Sequence, residues 1–194
     1  MKKFLNDGLD TIIKMMVTQL GMTMFGIMIT MTAKAIPLSA NGGKNILLLA
    51  ASCASVIFYM FLLYIHIWDK GAKDKIKIDG GRMEKSNLKG LYLSLVANSI
   101  NLLLGLIMCI TYYFCDFSNN TPKFACQIFG IANDVARLIQ GMYIGIINYI
   151  FPNAVSTPPF IFILITFPAL IISMIGYSLG SANTKLTSIF KSKS

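Results

Sequence analysis

The chain is poor in charge and in the residues that build catalytic or metal sites. Only 13% of its 194 residues are charged, while 55% are hydrophobic, and soluble domains usually carry about twice that share of charge. It has one histidine, and its four cysteines form no C-x-x-C pair, which argues against a zinc site of ordinary spacing. The H-E-x-x-H and G-x-S-x-G motifs are also missing. We therefore expect no cofactor and no enzymatic activity.

The sequence contains instead four apolar stretches of lipid-compatible length. They cover residues 11–33, 45–68, 91–114 and 160–179, and a helix of about 20 apolar residues crosses the hydrocarbon core of a bilayer. None of the four contains Asp or Glu, so that no intramembrane carboxylate is left for ion coupling or catalysis. The predicted fold is an all-α integral membrane protein with one domain, built as a four-transmembrane-helix bundle.

The basic residues set the predicted orientation. Seven of the seventeen lie between residues 69 and 89, and loops rich in Lys and Arg stay on the cytoplasmic side. With four spans, only four basic residues fall outside, namely Lys34, Lys44, Lys123 and Arg137. We expect a multi-pass protein of the cell membrane whose N-terminus and tail, residues 181–194, both lie in the cytoplasm.

Two alternatives start from the N-terminus and from the net charge. The first 35 residues loosely imitate a secretory signal, whose cleavage would leave three spans, but the apolar core is longer than the roughly 7–15 residues of such signals. The formal charge of +9 is distributed over the ends of apolar segments, so that no soluble basic domain remains to bind nucleic acid. We therefore expect a retained first span and no nucleic-acid partner.

Residues 127–150 form an amphipathic segment. On a helical wheel its polar side chains and glycines fall within an arc of about 140°, where Asp134 and Arg137 are spaced to form a pair. This pattern predicts an additional helix lying on the extracytoplasmic surface. The rival interpretations are an embedded helix that packs through Gly141-x-x-x-Gly145 and a fifth span.

Polar side chains also repeat along one face of the third stretch. Ser94, Asn98 and Asn101 follow one another at helical spacing. Amides inside a bilayer need hydrogen-bond partners, which neighbouring helices or water must supply. Together with Asp134 and Arg137, these residues are the candidate polar seam between helices or, alternatively, the polar lining of a path.

The loop at residues 69–89 is a second candidate site. Its cations suit anionic lipid headgroups at the inner surface or a cytoplasmic protein partner. They are Lys70, Lys73, Lys75, Lys77, Arg82, Lys85 and Lys89. Topology alone also explains their presence, so that the sequence leaves this question open.

Cys115 and Cys126 bracket a loop that the predicted topology places outside the cell. They can form a disulfide where this loop faces an oxidising compartment, and otherwise remain two free thiols. Cys53 and Cys109 lie inside apolar stretches, where cysteine usually acts as a small packing residue.

The functional expectation follows from these features. Small residues in several spans, the mixed-charge loop and the amphipathic segment suit packing against other proteins or a second copy of the chain. They favour a non-enzymatic subunit, regulator or immunity-type module. The alternative is a small oligomeric transporter or channel whose polar lining comes from the third span and the amphipathic segment.

Overall fold

The computed structural model describes residues 2–36, 43–84, 86, 88–115, 124–151 and 157–184, and over these residues the fold is all-helical. Two long helices come first: α1 covers Lys2–Ala35 and α2 covers Gly43–Asp79. Such apolar stretches form helices in lipid because a helix satisfies its own backbone hydrogen bonds. The tail from residue 185, Lys85 and the connection at residues 116–123 lie outside the described residues.

The remaining helices are shorter. They are α3 (Lys89–Ala97), α4 (Ser99–Phe114), α5 (Phe124–Ile139), α6 (Ile144–Ile150), α7 (Ile161–Leu164) and α8 (Phe167–Ser181), with a 3₁₀ turn at Gly141–Tyr143 between α5 and α6. α2 ends at Asp79, whereas hydropathy alone predicts an end near residue 68. The first part of the basic loop at residues 69–89 is therefore helical, because α2 continues beyond the apolar stretch.

Three helices among the described residues are long and apolar enough to cross a membrane, and they cover Gly8–Ala35, Ile46–Asp79 and Ile161–Ser181. A fourth is obtained if α3 and α4 count as one bent span. The break falls at Asn98, whose side-chain amide donates a 3.0 Å hydrogen bond to the carbonyl oxygen of Ser94. Asparagine side chains compete in this way with the helical backbone, and the predicted third span is therefore not straight.

The chain divides into two compact units. Unit 1 consists of Met1–Thr18, Tyr59–Asn98 and Phe167–Ser194, and unit 2 consists of Gln19–Phe58 and Ser99–Thr166. In unit 1, α8 packs against α3 and against the C-terminal half of α2. In unit 2, α4 packs against α5 and α7.

Small residues bring the helices of unit 1 into backbone contact. A Cβ atom built on Gly180 of α8 would collide with the carbonyl oxygen of Trp68 in α2, and one on Gly71 would lie 2.6 Å from the carbonyl oxygen of Tyr177. Close backbone approach of this kind is how helices gain packing energy in lipid, where no hydrophobic effect acts between them.

In unit 2, α5 runs antiparallel to α4. A disulfide joins Cys115 at the end of α4 to Cys126 in the first turn of α5, with 4.9 Å between their Cα atoms. Three residues farther from the disulfide on each helix, the rings of Tyr112 and Phe129 lie 5.6 Å apart. α5 therefore returns alongside α4.

The segment 127–150 is not the single helix that the sequence predicts. The helix ends at Ile139, and Gln140 has non-helical backbone angles before the 3₁₀ turn begins at Gly141. The hydroxyl of Thr23 donates a 2.6 Å hydrogen bond to the carbonyl oxygen of Ile139, and Gly145 N donates to the Ser52 hydroxyl at 2.9 Å. The break is stabilised because glycine lets the turn pack against α1 and α2.

Candidate functional site

Each unit contains a cluster of charged and buried polar side chains. In unit 1 the cluster is centred on Asp74, whose side chain is completely buried. Its Oδ2 lies 2.7 Å from Lys89 Nζ and accepts a 3.0 Å hydrogen bond from the Tyr177 hydroxyl, while Lys70 Nζ lies 3.2 Å from Oδ1. The cluster thus joins three helices, because α2 supplies Asp74 and Lys70, α3 supplies Lys89 and α8 supplies Tyr177.

The Asp74 cluster explains why α2 continues past the apolar stretch. Gly71 brings the added turns against α8, and Asp74 then meets Lys89 away from water. The Lys89 side chain is only 2% exposed, and a buried charge is tolerated only when it is paired and hydrogen-bonded. Residues 69–79, named here the α2 extension, are therefore held as a helix by buried ionic contacts.

The opposite face of the α2 extension carries exposed side chains. Asp69 and Lys73 form a 2.6 Å ion pair in which the carboxylate is 52% and the ammonium 62% exposed. Ile76 follows three residues later on the same face, is 70% exposed and is surrounded in sequence by charged residues. A lone exposed isoleucine is ordinary, but this one lies on a charged helix that is held by buried ion pairs and extends beyond the predicted apolar span.

The predicted basic-loop residues are divided between the two faces of this helix and the turn that follows. Lys70 and Lys89 are buried against Asp74, so that they do not extend freely toward headgroups. The cations that keep at least partial exposure are Lys73, Lys75, Lys77 and Arg82. Lys85 lies outside the described residues.

A polar cavity of about 110 Å³ adjoins the α2 extension in unit 1. It is lined by Asp10, Thr11, Lys14, His66, Asp69, Lys70 and Lys73. Lys70 and Lys73 are engaged with carboxylates, so that the cavity presents little unbalanced charge. Nowhere in the described ranges do three or more His, Cys, Asp or Glu side chains gather in a way that could hold a metal ion.

In unit 2 the cluster is centred on Arg137 of α5. Its Nε donates a 3.1 Å hydrogen bond to Asn133 Oδ1, and an Nη donates a 3.4 Å hydrogen bond to the Thr157 hydroxyl. The guanidinium lies over the ring of Phe162, 5.9 Å from its centre. A planar cation stacked on an aromatic face and held at its edge has a fixed orientation.

The predicted Asp134–Arg137 pair does not form. Asp134 is exposed, and the Arg137 guanidinium bonds to Asn133 and Thr157 instead. The charge of Asp134 acts on the guanidinium without such a contact. The two residues therefore interact only over a longer distance.

Gln140 is a buried neighbour of Arg137, one turn later on the chain. Its Nε2 donates a 3.3 Å hydrogen bond to the carbonyl oxygen of Phe162, and its buried Oε1 has no hydrogen-bond partner among the described residues. Both side chains thus converge on Phe162, one on its ring and one on its backbone. The buried polar groups at the end of α5 therefore gather around Phe162.

The candidate seam residues of the third stretch are all buried. Ser94 and Asn98 belong to unit 1, where the Ser94 hydroxyl lies 3.5 Å from the carbonyl oxygen of Ala169 in α8. Asn101 belongs to unit 2 together with Asp134 and Arg137. Sequence reasoning misses Asp74, Tyr177 and Thr157, of which only Asp74, spaced four residues from Lys70, carries a readable signal.

Comparison with known proteins gives no counterpart for these clusters. No protein-family model, curated protein or solved structure matches the chain. Function is therefore argued from the geometry of the two clusters.

Proposed function

We propose that the chain is a non-enzymatic, multi-pass membrane protein that acts by binding a partner through the exposed face of the α2 extension. The observation that carries this proposal is the burial of Asp74 with Lys89 and Tyr177. A basic loop that serves only to fix topology needs no defined structure. A helix fixed in advance binds a partner at lower entropic cost than a mobile loop does.

The proposed topology has four spans and two cytoplasmic termini. α1, α2, the bent pair α3–α4 and the pair α7–α8 are the spans, whereas residues 124–150 enter from the outer side and return to it as a re-entrant hairpin. The contacts with α1 support the return, because Ile139 meets Thr23 and Met142 meets Gly26, one turn nearer the outer end of α1. The four-residue spacing of Gly141 and Gly145 serves this packing.

The disulfide provides a test of this orientation. We expect that only Cys53 and Cys109 react with a mass-shifting maleimide in the denatured, unreduced protein from cells, and that all four cysteines react after reduction. The reason is that Cys115 and Cys126 oxidise only if their loop faces an oxidising compartment. Gel mobility measures the number of labels.

The matched control is Cys126→Ser, which should show three reactive thiols before and after reduction, since Cys115 loses its partner. Four reactive thiols in unreduced wild-type protein would contradict the proposed orientation.

Ile76→Asp is the sharpest test of partner binding. We expect wild-type protein purified in mild detergent to elute in a complex, with a second copy or another protein, and Ile76→Asp to weaken that complex by about tenfold or more. A central apolar contact in an interface commonly contributes that much. Light scattering gives the mass of the complex, and mass spectrometry gives its composition.

Ile76→Val serves as the control, because it keeps an apolar side chain on the exposed face and should preserve the complex. A wild-type protein that is always a solitary monomer would contradict the proposal. If that monomer released ions from liposomes, the result would support the transporter alternative instead.

A further inference from the structure

We propose that Arg137, Asn133 and Thr157 form a binding site for a phosphate group, carried either by a soluble anion or by a lipid headgroup. All three residues belong to unit 2. Arg137 and Asn133 lie one turn apart on α5, and Thr157 precedes the Pro158-Pro159 pair before α7. The proposal is independent of the α2 extension, which belongs to unit 1.

The hydrogen bonds within the site use acceptor atoms of Asn133 and Thr157 and leave the donor groups of the same side chains for a ligand. Asn133 Oδ1 accepts from Arg137 Nε, so that the NH₂ group of the same amide points away and keeps its two donors. Thr157 Oγ1 accepts from the guanidinium, and its own O–H is therefore directed elsewhere. No hydrogen bond in the described ranges uses these donors or the second Nη of Arg137.

The charge of the site points to the same kind of ligand. The guanidinium is partly buried, yet its two hydrogen-bond partners are neutral side chains. Placing a cation in apolar surroundings without a paired anion is costly, and charged residues inside membranes commonly mark a ligand site. Asp134 is exposed and does not bond to Arg137, so that the second Nη and the remaining hydrogen of the Nη that bonds to Thr157 stay open to a ligand.

A phosphate group fits this set of donors. Arginine binds phosphate through two parallel N–H···O bonds, and the remaining phosphate oxygens can accept from the Thr157 hydroxyl and the Asn133 amide. The ring of Phe162 supports the guanidinium from one face, which keeps the fork oriented before the ligand arrives. A phosphate group offers one oxygen more than a carboxylate does, so that the three side chains need not share the same two oxygens.

The experiment uses the full-length protein in a phosphate-free maltoside detergent and has two arms. Inorganic phosphate, titrated calorimetrically, tests a soluble ligand. Phosphatidylglycerol and a diacylglycerol with the same acyl chains, compared by native mass spectrometry, test a lipid headgroup. Binding in either arm, with phosphatidylglycerol retained and diacylglycerol not, is the expected result.

Three variants separate the site from general effects on the fold. Arg137→Gln should weaken binding by roughly 100-fold, the size expected for two charge-assisted hydrogen bonds. Arg137→Lys should weaken it less, since it keeps the charge but loses the fork. Asp134→Asn should tighten binding by about fivefold, because it removes a nearby negative charge.

Asp134→Asn guards the test against misfolding. A misfolded variant would lose affinity, whereas this substitution at an exposed position is expected to raise it. Absence of binding in both arms by folded wild-type protein would overturn the proposal. Equal retention of phosphatidylglycerol and diacylglycerol, without phosphate binding in the first arm, would overturn it as well. The proposal would also be overturned if Asp134→Asn left the affinity unchanged while Arg137→Gln still bound tightly.

Discussion

Asp74→Ala is expected to lower the free energy of unfolding by about 3–5 kcal/mol. The change removes the carboxylate that pairs with the buried side chains of Lys70 and Lys89, and breaking one side of a buried ion pair is strongly destabilising. It also removes the acceptor of the Tyr177 hydroxyl. The measurement is the denaturation midpoint in detergent micelles, followed by circular dichroism.

Asp69→Ala is the matched control for Asp74→Ala, because both carboxylates lie on α2 and both pair with a lysine four residues away. The Asp69–Lys73 pair is exposed, so that its loss should cost no more than about 1 kcal/mol. The double variant Asp74→Asn with Lys89→Met should recover part of the stability, since the more deeply buried of the two lysines that pair with Asp74 is then uncharged. Equal effects of Asp69→Ala and Asp74→Ala would contradict the structural role of the cluster.

Hydropathy predicts the apolar helices, because a single apolar segment in lipid can satisfy all of its backbone hydrogen bonds only as a helix. It does not predict where they end. α2 continues to Asp79 because Gly71, Asp74 and their partners on α3 and α8 stabilise the added turns. Those partners are up to about a hundred residues away in sequence, as Tyr177 shows with a separation of 103 from Asp74.

The helical periodicity of residues 127–150 does not predict the break in this segment, for a related reason. The polar arc is real, since Asn133, Arg137 and Gln140 fall on one side of the chain. Periodicity assumes that one helix continues, whereas Ile139 and Gly145 bond to different helices, α1 and α2. Tertiary contacts of this kind decide whether a glycine pair is a packing motif or a turn.

The sequence identifies the cation in the candidate site but not its partners. Asp134, three residues from Arg137, is the expected partner by helical spacing. The guanidinium instead bonds to Thr157, which is 20 residues away. Only the return of the chain past α5 brings Thr157 and Phe162 to this point, and no local pattern encodes that return.

Gly180→Ala should destabilise the protein by about 3 kcal/mol or more, which makes a single methyl group a severe change here. The added Cβ would collide with the carbonyl oxygen of Trp68 and lie 3.1 Å from Ala72 N. These are backbone atoms of a long helix, so that they cannot rotate away as a flexible side chain can. α2 and α8 must separate, which also weakens the neighbouring contact between Asp74 and Tyr177.

Gly130→Ala on α5 is the control for this substitution, because nothing lies within 4 Å of the Cβ that would be added there. That variant should be neutral or more stable by up to about 1 kcal/mol, since alanine favours the helix more than glycine does. The denaturation midpoints of the two variants, measured in the same detergent, should therefore move in opposite directions or differ widely. A Gly180→Ala variant as stable as the Gly130→Ala variant would mean that α2 and α8 do not meet through their backbones, and the α2 extension would lose one of its contacts with α8.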